Sequence, residues 1–367
     1  MNDREILPLG SVIGILGGGQ LGKFLSIAAA NLGFRVCVFD ASSDSIASQV
    51  SWRSICAEYD NKEALSEFAA MVDVVTYETE NIPLSTVEFL ISSGKLVRPG
   101  AKALAITQDR LHEKEFINNI TNKSAFLCAI SSDEDLNRVD SPFSPLFSPP
   151  WLLKACRLGY DGKSQILVND KAHLKEAWEA LDCLPCILER YISLSCEFSI
   201  IGARGITGDC VFYDSGENIH SDGILRQTTI PKKDTVDSKV MVDMVDLVRN
   251  IMHSLEYIGT MAVEFFCDQS GDIIINEIAP RVHNTGHWTL DACACSQFEQ
   301  HIRAICGWPL GSTLRYADAV MDNILGDAVA DWPIGSSSSE TCLYLYGKDC
   351  VRPRRKMGHV TRLKSLS

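Results

Sequence analysis

The sequence is short of the features that would place it in a membrane, outside the cell or on a nucleic acid. Among its 367 residues no apolar run approaches the roughly 18 needed to cross a bilayer. The opening stretch MNDREILPLG lacks the hydrophobic core of a signal peptide, so a cytoplasmic location is expected. Positive charge is in the minority, 34 Lys and Arg against 47 Asp and Glu for a net charge of -13, which argues against a nucleic-acid-binding surface. Basic clusters must therefore be read as local anion sites. Cysteine is not scarce, at 14, but it lacks the close framework of a small disulfide-stapled domain and falls mostly in apolar segments, as buried thiols do. Cys183 and Cys186 form a C-x-x-C with no second ligand pair for zinc, and Cys186 opens a strand-like run rather than a helix, so both read as structural. A Walker loop is missing too: Arg157 stands where its first glycine would be, and a strand follows instead of a helix.

What is present centres on residues 261–288. Two apolar strand-like runs, 261–267 and 273–278, flank the polar turn Asp268-Gln269-Ser270-Gly271. A turn centred between Ser270 and Gly271 sets Glu264 opposite Glu277 on one sheet face, where like charges repel. A divalent cation resolves that conflict, and oxygen ligands suit magnesium, which bridges readily to a phosphate. Arg281, His283, Asn284 and His287 follow at once, a polar cluster suited to an anionic ligand.

At this length two or three domains are expected. Residues 11–40 read strand, glycine loop, helix, strand, with Gly17, Gly19 and Gly22 in G-x-G-x-x-G register and Asp40 closing the second strand, the opening of a Rossmann-like unit. Such a loop brings backbone N–H groups to a phosphate, without saying which. A third strand, 72–77, runs into Glu78-Thr79-Glu80-Asn81, making Glu78 a candidate to hold a cationic or amino group. Residues 98–114 read as a connection and one helix with Gln108, Asp109 and Arg110 near its middle, and 131–150 as a loop. The strand 151–156 carries Lys154, and Gly159 to Gln165 then form a glycine-containing hairpin bearing Lys163, suited to close over phosphates. Asp170 caps a short helix, and two strands beyond it present Glu189 and Glu197 as exposed acceptors. A helix at 236–255 precedes the hairpin, and 290–306 reads as a single amphipathic helix. Near the end Lys348, Arg352, Arg354, Arg355 and Lys356 make one dense basic patch, expected to take a phosphate monoester.

Taken together GGGQLG, TYETENIP, QDRLHEK, KACRLGYDGKSQ, AVEFF, NEIAPRVHNTGHWT, SQFEQHIRAI and YGKDCVRPRRKMGH resemble the ATP-grasp superfamily, and within it the N5-carboxyaminoimidazole ribonucleotide synthetase family. The resemblance implies an α/β fold of the α+β ATP-grasp type. Its parts are an N-terminal Rossmann-like parallel sheet (1–115), a small central lid domain (116–188) and a C-terminal, largely antiparallel sheet domain (189–367). It implies ligation of bicarbonate to 5-aminoimidazole ribonucleotide at the expense of MgATP through carboxyphosphate, by a homodimer. The ATP positions carried over are Arg110, Lys154, Gly159, Tyr160, Asp161, Gly162, Lys163, Ser164, Gln165, Glu189, Arg190, Tyr191, Ile192, Glu197, His220, Asn276 and Glu277. Glu264 and Glu277 match the magnesium ligands. Gln20, Leu21, Glu78, Tyr160, Arg281, His283, Asn284, Lys348, Arg355 and Lys356 match the ribonucleotide side, with Asp161, Arg281, His283 and Lys348 closest to the chemistry. Ser164 departs from the family's usual glycine. A related purine ligase such as the formate-dependent glycinamide ribonucleotide transformylase is the near alternative, disfavoured by HNTGHW and RKMGH. A nicotinamide-dependent dehydrogenase would rest on Gly17, Gly19, Gly22 and Asp40 alone, and a non-catalytic nucleotide-binding regulator would leave Glu264, Glu277, Arg281 and Lys348 without a purpose.

Overall fold

In the computed structural model residues 6–139, 148–157, 164–231, 238–331 and 340–366 are described. Three sheets organise them. The first is parallel, in the order β3-β2-β1-β4-β5, from β1 (Val12–Leu16), β2 (Arg35–Asp40), β3 (Arg53–Cys56), β4 (Val74–Tyr77) and β5 (Leu96–Val97). Strand β1, VIGIL, is buried throughout, as a central strand covered on both faces must be. The short β3 has little apolar content and was not anticipated from sequence.

A small antiparallel sheet joins β6 (Phe126–Ile130), β7 (Trp151–Ala155), β8 (Gln165–Val168) and β9 (Cys186–Arg190). The third, antiparallel sheet runs from β10 (Leu194–Arg204) through β11 (Cys210–Phe212), β12 (Gly216–Ser221), β13 (Ile224–Ile230), β14 (Gly259–Asp268), β15 (Ile273–Ala279), β16 (Asp318–Leu325) and β17 (Thr341–Leu345) to β18 (Lys356–Lys364). The Gln20–Asn31 helix binds the first sheet to the third. Its Phe24 and Leu25 share one core with Phe298, Ile302 and Ile305 of the Gln297–Ile305 helix and with Tyr346.

Two expected helices prove to be broken. The 98–114 segment divides into Ala101–Thr107 and Arg110–Thr121, because Asp109 leaves helical geometry and caps the second piece through the Leu111 N–H at 3.1 Å. The 290–306 segment divides into Thr289–Ala292 and Gln297–Ile305, with Cys293 drawn into an extended bridge to Arg315 and Ser296 capping the Glu299 N–H.

The central hairpin also differs in one instructive way. Its turn is centred on Ser270, where Asp268 Oδ1 accepts from the amides of Ser270 and Asp272, and Cys267 pairs Ile273. Continued regularly, that ladder would set Glu264 against Asn276. A bulge at Asn276 inserts one residue and brings Glu277 opposite Glu264 instead. The expected pairing is therefore present, produced by the bulge and not by the turn.

The capping geometry makes a signed prediction. In one continuous helix Ser296→Ala would stabilise the chain, whereas loss of an N-cap costs about 1 kcal/mol. Chemical denaturation of Ser296→Ala is expected to show the loss.

Candidate active site

The hairpin carboxylates are joined by a third donor. The ligand atoms of Glu264, Glu277 and His283 lie within 4.8 Å of one another, with His283 Nε2 3.7 Å from Glu264. Burial, and next the Glu277 charge, push the Glu264 carboxyl up to about 7. Burial and then Arg281 hold His283 well below the ordinary histidine range, so it stands neutral, with Nδ1 bonded to Thr285 Oγ1 at 2.9 Å. Arg110 approaches Glu277 at 3.6 Å from the start of its helix.

Beneath these groups lies an ion cluster. Glu189 of β9 is buried between Lys114 Nζ at 3.0 Å and Lys154 Nζ at 2.6 Å. Burial opposes its charge, but the two ammonium groups hold it at about 2. The expectation of an exposed, available Glu189 is thereby corrected: the side chain alternation was right, yet the face it selects is covered by the Arg110–Thr121 helix. Glu197 stays near the surface of the cavity, bonded to His220 Nδ1 at 2.5 Å; burial lowers the histidine, and this hydrogen bond more than reverses it. The same helix clasps the bulge from behind. Lys114 Nζ donates to the Asn276 carbonyl at 2.5 Å, and Glu113 Oε1 accepts from the Ile278 N–H at 2.6 Å. Glu113 and Lys114 were missed as site residues, although Arg110, Glu113 and Lys114 fall at i, i+3 and i+4 on one helical face.

The glycine loop holds no open anion hole. Gly19 and Gly22 N–H each donate to Glu78 at 2.8 Å, and Gly18 N–H donates to Asp40 at 2.6 Å. A Cβ on Gly19 would sit 2.6 Å from the Glu78 carboxylate, so the glycines serve the approach of the protein's own acid. Burial raises Glu78 despite these amides. The expectation of a phosphate on this loop is corrected, and with Asp40 engaged there the dehydrogenase reading loses its support. Glu80, two residues on, was also missed. It forms a two-pronged ion pair with Arg281, one arm being Nη2 to Oε1 at 3.0 Å; burial would raise its carboxyl, but Arg281 holds it at about 2.

Two cavities meet here. One of about 520 Å³ is lined by Arg110, Lys154, Gln165, Tyr191, Glu197, His220, Glu264, Asn276 and Glu277. The other, of about 220 Å³, is lined by Gln20, Leu21 and Glu78. Glu80, Arg281, His283, Asn284 and Lys356 line both. Arg190 and Ile192 are half-buried on either side of Tyr191, outside these linings. Gly159, Tyr160, Asp161, Gly162 and Lys163 lie outside the described residues. Ser164 has φ +60°, the left-handed region that costs a side chain about 1 kcal/mol and explains a preference for glycine there.

The basic patch is dispersed. Lys356 lines the cavities, Lys348 Nζ donates to the Lys356 carbonyl at 2.6 Å, Arg355 donates to the Cys350 carbonyl at 2.7 Å, and Arg352 and Arg354 are exposed. Lys23, not singled out from sequence, reaches the Tyr346 carbonyl at 3.3 Å. All fourteen cysteines are free, Cys183 exposed and Cys186 buried.

Family models match in three consecutive pieces: a ribonucleotide synthetase preATP-grasp domain over residues 11–108, an ATP-grasp domain over 117–298 and a phosphoribosylaminoimidazole carboxylase C-terminal domain over 319–366. The N5-carboxyaminoimidazole ribonucleotide synthase of Brucella melitensis is 41% identical, across 99% of both chains. A crystal structure of an N5-carboxyaminoimidazole ribonucleotide synthetase in its ADP complex superposes with a TM-score of 0.91 at 36% identity, covering 99% of this chain and 94% of that one. An enzyme from Aspergillus clavatus, solved with ADP and 5-aminoimidazole ribonucleotide, has a TM-score of 0.85 at 26% identity, covering 97% and 94%. With the three sheets, the paired carboxylates and the joined cavities, these likenesses establish that the chain belongs to the N5-carboxyaminoimidazole ribonucleotide synthase family of ATP-grasp ligases.

Proposed function

We infer that this chain, as a cytoplasmic homodimer, joins bicarbonate to the exocyclic amine of 5-aminoimidazole ribonucleotide with hydrolysis of ATP to ADP and phosphate, a step of purine biosynthesis. The observation that carries the reading is the meeting of two cavities at Arg281, His283, Asn284 and Lys356, with the carboxylate pair on the larger side. ATP is assigned to the larger cavity and the ribonucleotide to the smaller. Residues 1–115 then form the ribonucleotide side, 116–188 the lid and 189–367 the catalytic floor.

Two facing carboxylates, one of them driven up to about 7 by burial and by the other's charge, suit a hard divalent cation such as magnesium, which Glu264 and Glu277 would hold beside Asn276. When bound it supplies neutralisation of phosphate oxygens. In the reaction a bicarbonate oxygen attacks the γ-phosphorus, the bond to ADP breaks, and carboxyphosphate forms. Carboxyphosphate releases phosphate as carbon dioxide, and the exocyclic amine adds to that carbon with loss of one proton.

Phosphoryl transfer leaves the protein mainly positioning and charge neutralisation. Lys154 and Arg110 supply positive charge on the ATP side, Lys154 being fixed by Glu189. Arg281, steadied by Glu80, holds bicarbonate and then carboxyphosphate. Neutral His283 lines both cavities at the point where the carbon must pass. By resemblance, Lys163 closes over the phosphates, Tyr160 and Asp161 meet the ribonucleotide, and Asp161 takes the amine proton. Lys348, Arg355 and Lys356 draw the ribonucleotide's phosphate.

Phosphate release from MgATP is expected to rise when 5-aminoimidazole ribonucleotide and bicarbonate are added together; release that ignores the pair would sink the assignment. Glu277→Gln is expected to lower turnover by roughly 10²-fold and to raise the magnesium concentration needed for half-maximal rate. Unchanged turnover at limiting magnesium would count against the carboxylate pair as the metal site.

A further inference from the structure

Three stretches specific to the family, HNTGHW, SQFEQH and RKMGH, contribute residues that line neither cavity, and these residues meet in one buried cluster. Gln297 is fully buried and uses every polar atom of its side chain on one peptide. Its Oε1 accepts from the His283 N–H at 2.9 Å, and its Nε2 donates to the His283 carbonyl at 2.6 Å. The same Nε2 lies 3.4 Å from His287 Nδ1. A Cβ on Gly286 would come within 2.6 Å of Gln297 Oε1, so the turn after Asn284 keeps glycine to admit this amide.

The contact continues across the molecule. The rings of His287 and His359 are 4.5 Å apart, and His359 Nδ1 shares a 3.0 Å hydrogen bond with the Tyr346 hydroxyl. The Tyr346 carbonyl receives Lys23, its ring lies 5.4 Å from the Lys348 ammonium, and Lys348 donates to the Lys356 carbonyl. Phe24, on the helix that begins at Gln20, packs against His287, Phe298, Tyr346 and His359 at centroid distances of 5.1 to 6.0 Å. Each arm therefore ends beside a lining residue of the smaller cavity: Gln20, His283 with Asn284, or Lys356. None of these arms reaches Lys154, Glu197 or His220 on the nucleotide side. Burial holds both histidines neutral, so the cluster is a hydrogen-bonded wedge and not a charge.

We propose that Gln297, acting with His287, His359 and Tyr346, is a positioning residue for the ribonucleotide, locking the His283–Asn284 peptides to the strand that carries Lys356. This rests on the assignment of the smaller cavity to 5-aminoimidazole ribonucleotide. Misplacement by about 1 Å can cost up to roughly 10²-fold in an enzyme site, so the effect is large enough to read kinetically.

The test compares the full-length wild type with Gln297→Met, which keeps the shape without the amide, and with Tyr346→Phe, which removes only the hydroxyl. Steady-state KM is measured separately for 5-aminoimidazole ribonucleotide and for ATP, alongside the denaturation midpoint. Gln297→Met is expected to raise the ribonucleotide KM by about tenfold or more while the ATP KM stays within about twofold, and Tyr346→Phe to shift the same parameter by a smaller factor. A purely structural role would move both KM values together or neither, and either result overturns the proposal. If Gln297→Met does not fold, Tyr346→Phe decides alone. A wild type indifferent to the ribonucleotide brings down the functional reading and this inference with it; a stimulated wild type with unaltered variants brings down this inference only.

Discussion

The floor of the site depends on one buried carboxylate. Glu189 neutralises both Lys114 and Lys154, and without it two ammonium groups would stand desolvated side by side. Such a cluster is costly to assemble and far costlier to leave incomplete. Its geometry sets three things at once. Lys154 is held facing the larger cavity, Lys114 is aimed at the Asn276 carbonyl, and the small sheet is tied through β9 to the helix behind the hairpin. The bulge that aligns Glu264 with Glu277 is thus braced by the same charges that line the nucleotide side.

A second constraint governs the junction between the cavities. Arg281 and Glu80 come from different sheets, and their two-pronged pair closes the gap between the parallel sheet and the antiparallel one. The pair leaves the guanidinium charged and oriented without exposing it. Neutral His283 beside it adds donors without adding charge, which keeps the local balance favourable for an anion that must pass from one cavity to the other.

Much of this was legible in the sequence, and the limits have physical causes. The glycine-loop unit, the paired strands 261–267 and 273–278 and the carboxylates on them follow from alternation and turn chemistry, which act over a few residues. Glu189 was read as exposed because alternation tells which face a side chain takes and says nothing of what covers that face. The breaks at Asp109 and Ser296 carry capping residues that a periodic apolar pattern overrides on reading. Glu80, Glu113 and Lys114 are ordinary acids and bases in sequence; their roles come from partners up to 201 residues away. The bulge at Asn276 is invisible locally, since it is enforced by Lys114 and Glu113 from another element.

The occupied glycine loop has a consequence for selectivity. A dinucleotide approaching Gly17 to Gly22 would have to expel Glu78 from two amides and Asp40 from a third, all charge-assisted bonds of about 1.5–3 kcal/mol each. The displaced carboxylates would then face the incoming phosphates at close range. The fingerprint therefore carries its own resident competitor, and the abundant nicotinamide nucleotides of a cell are turned away from a fold built on their binding motif.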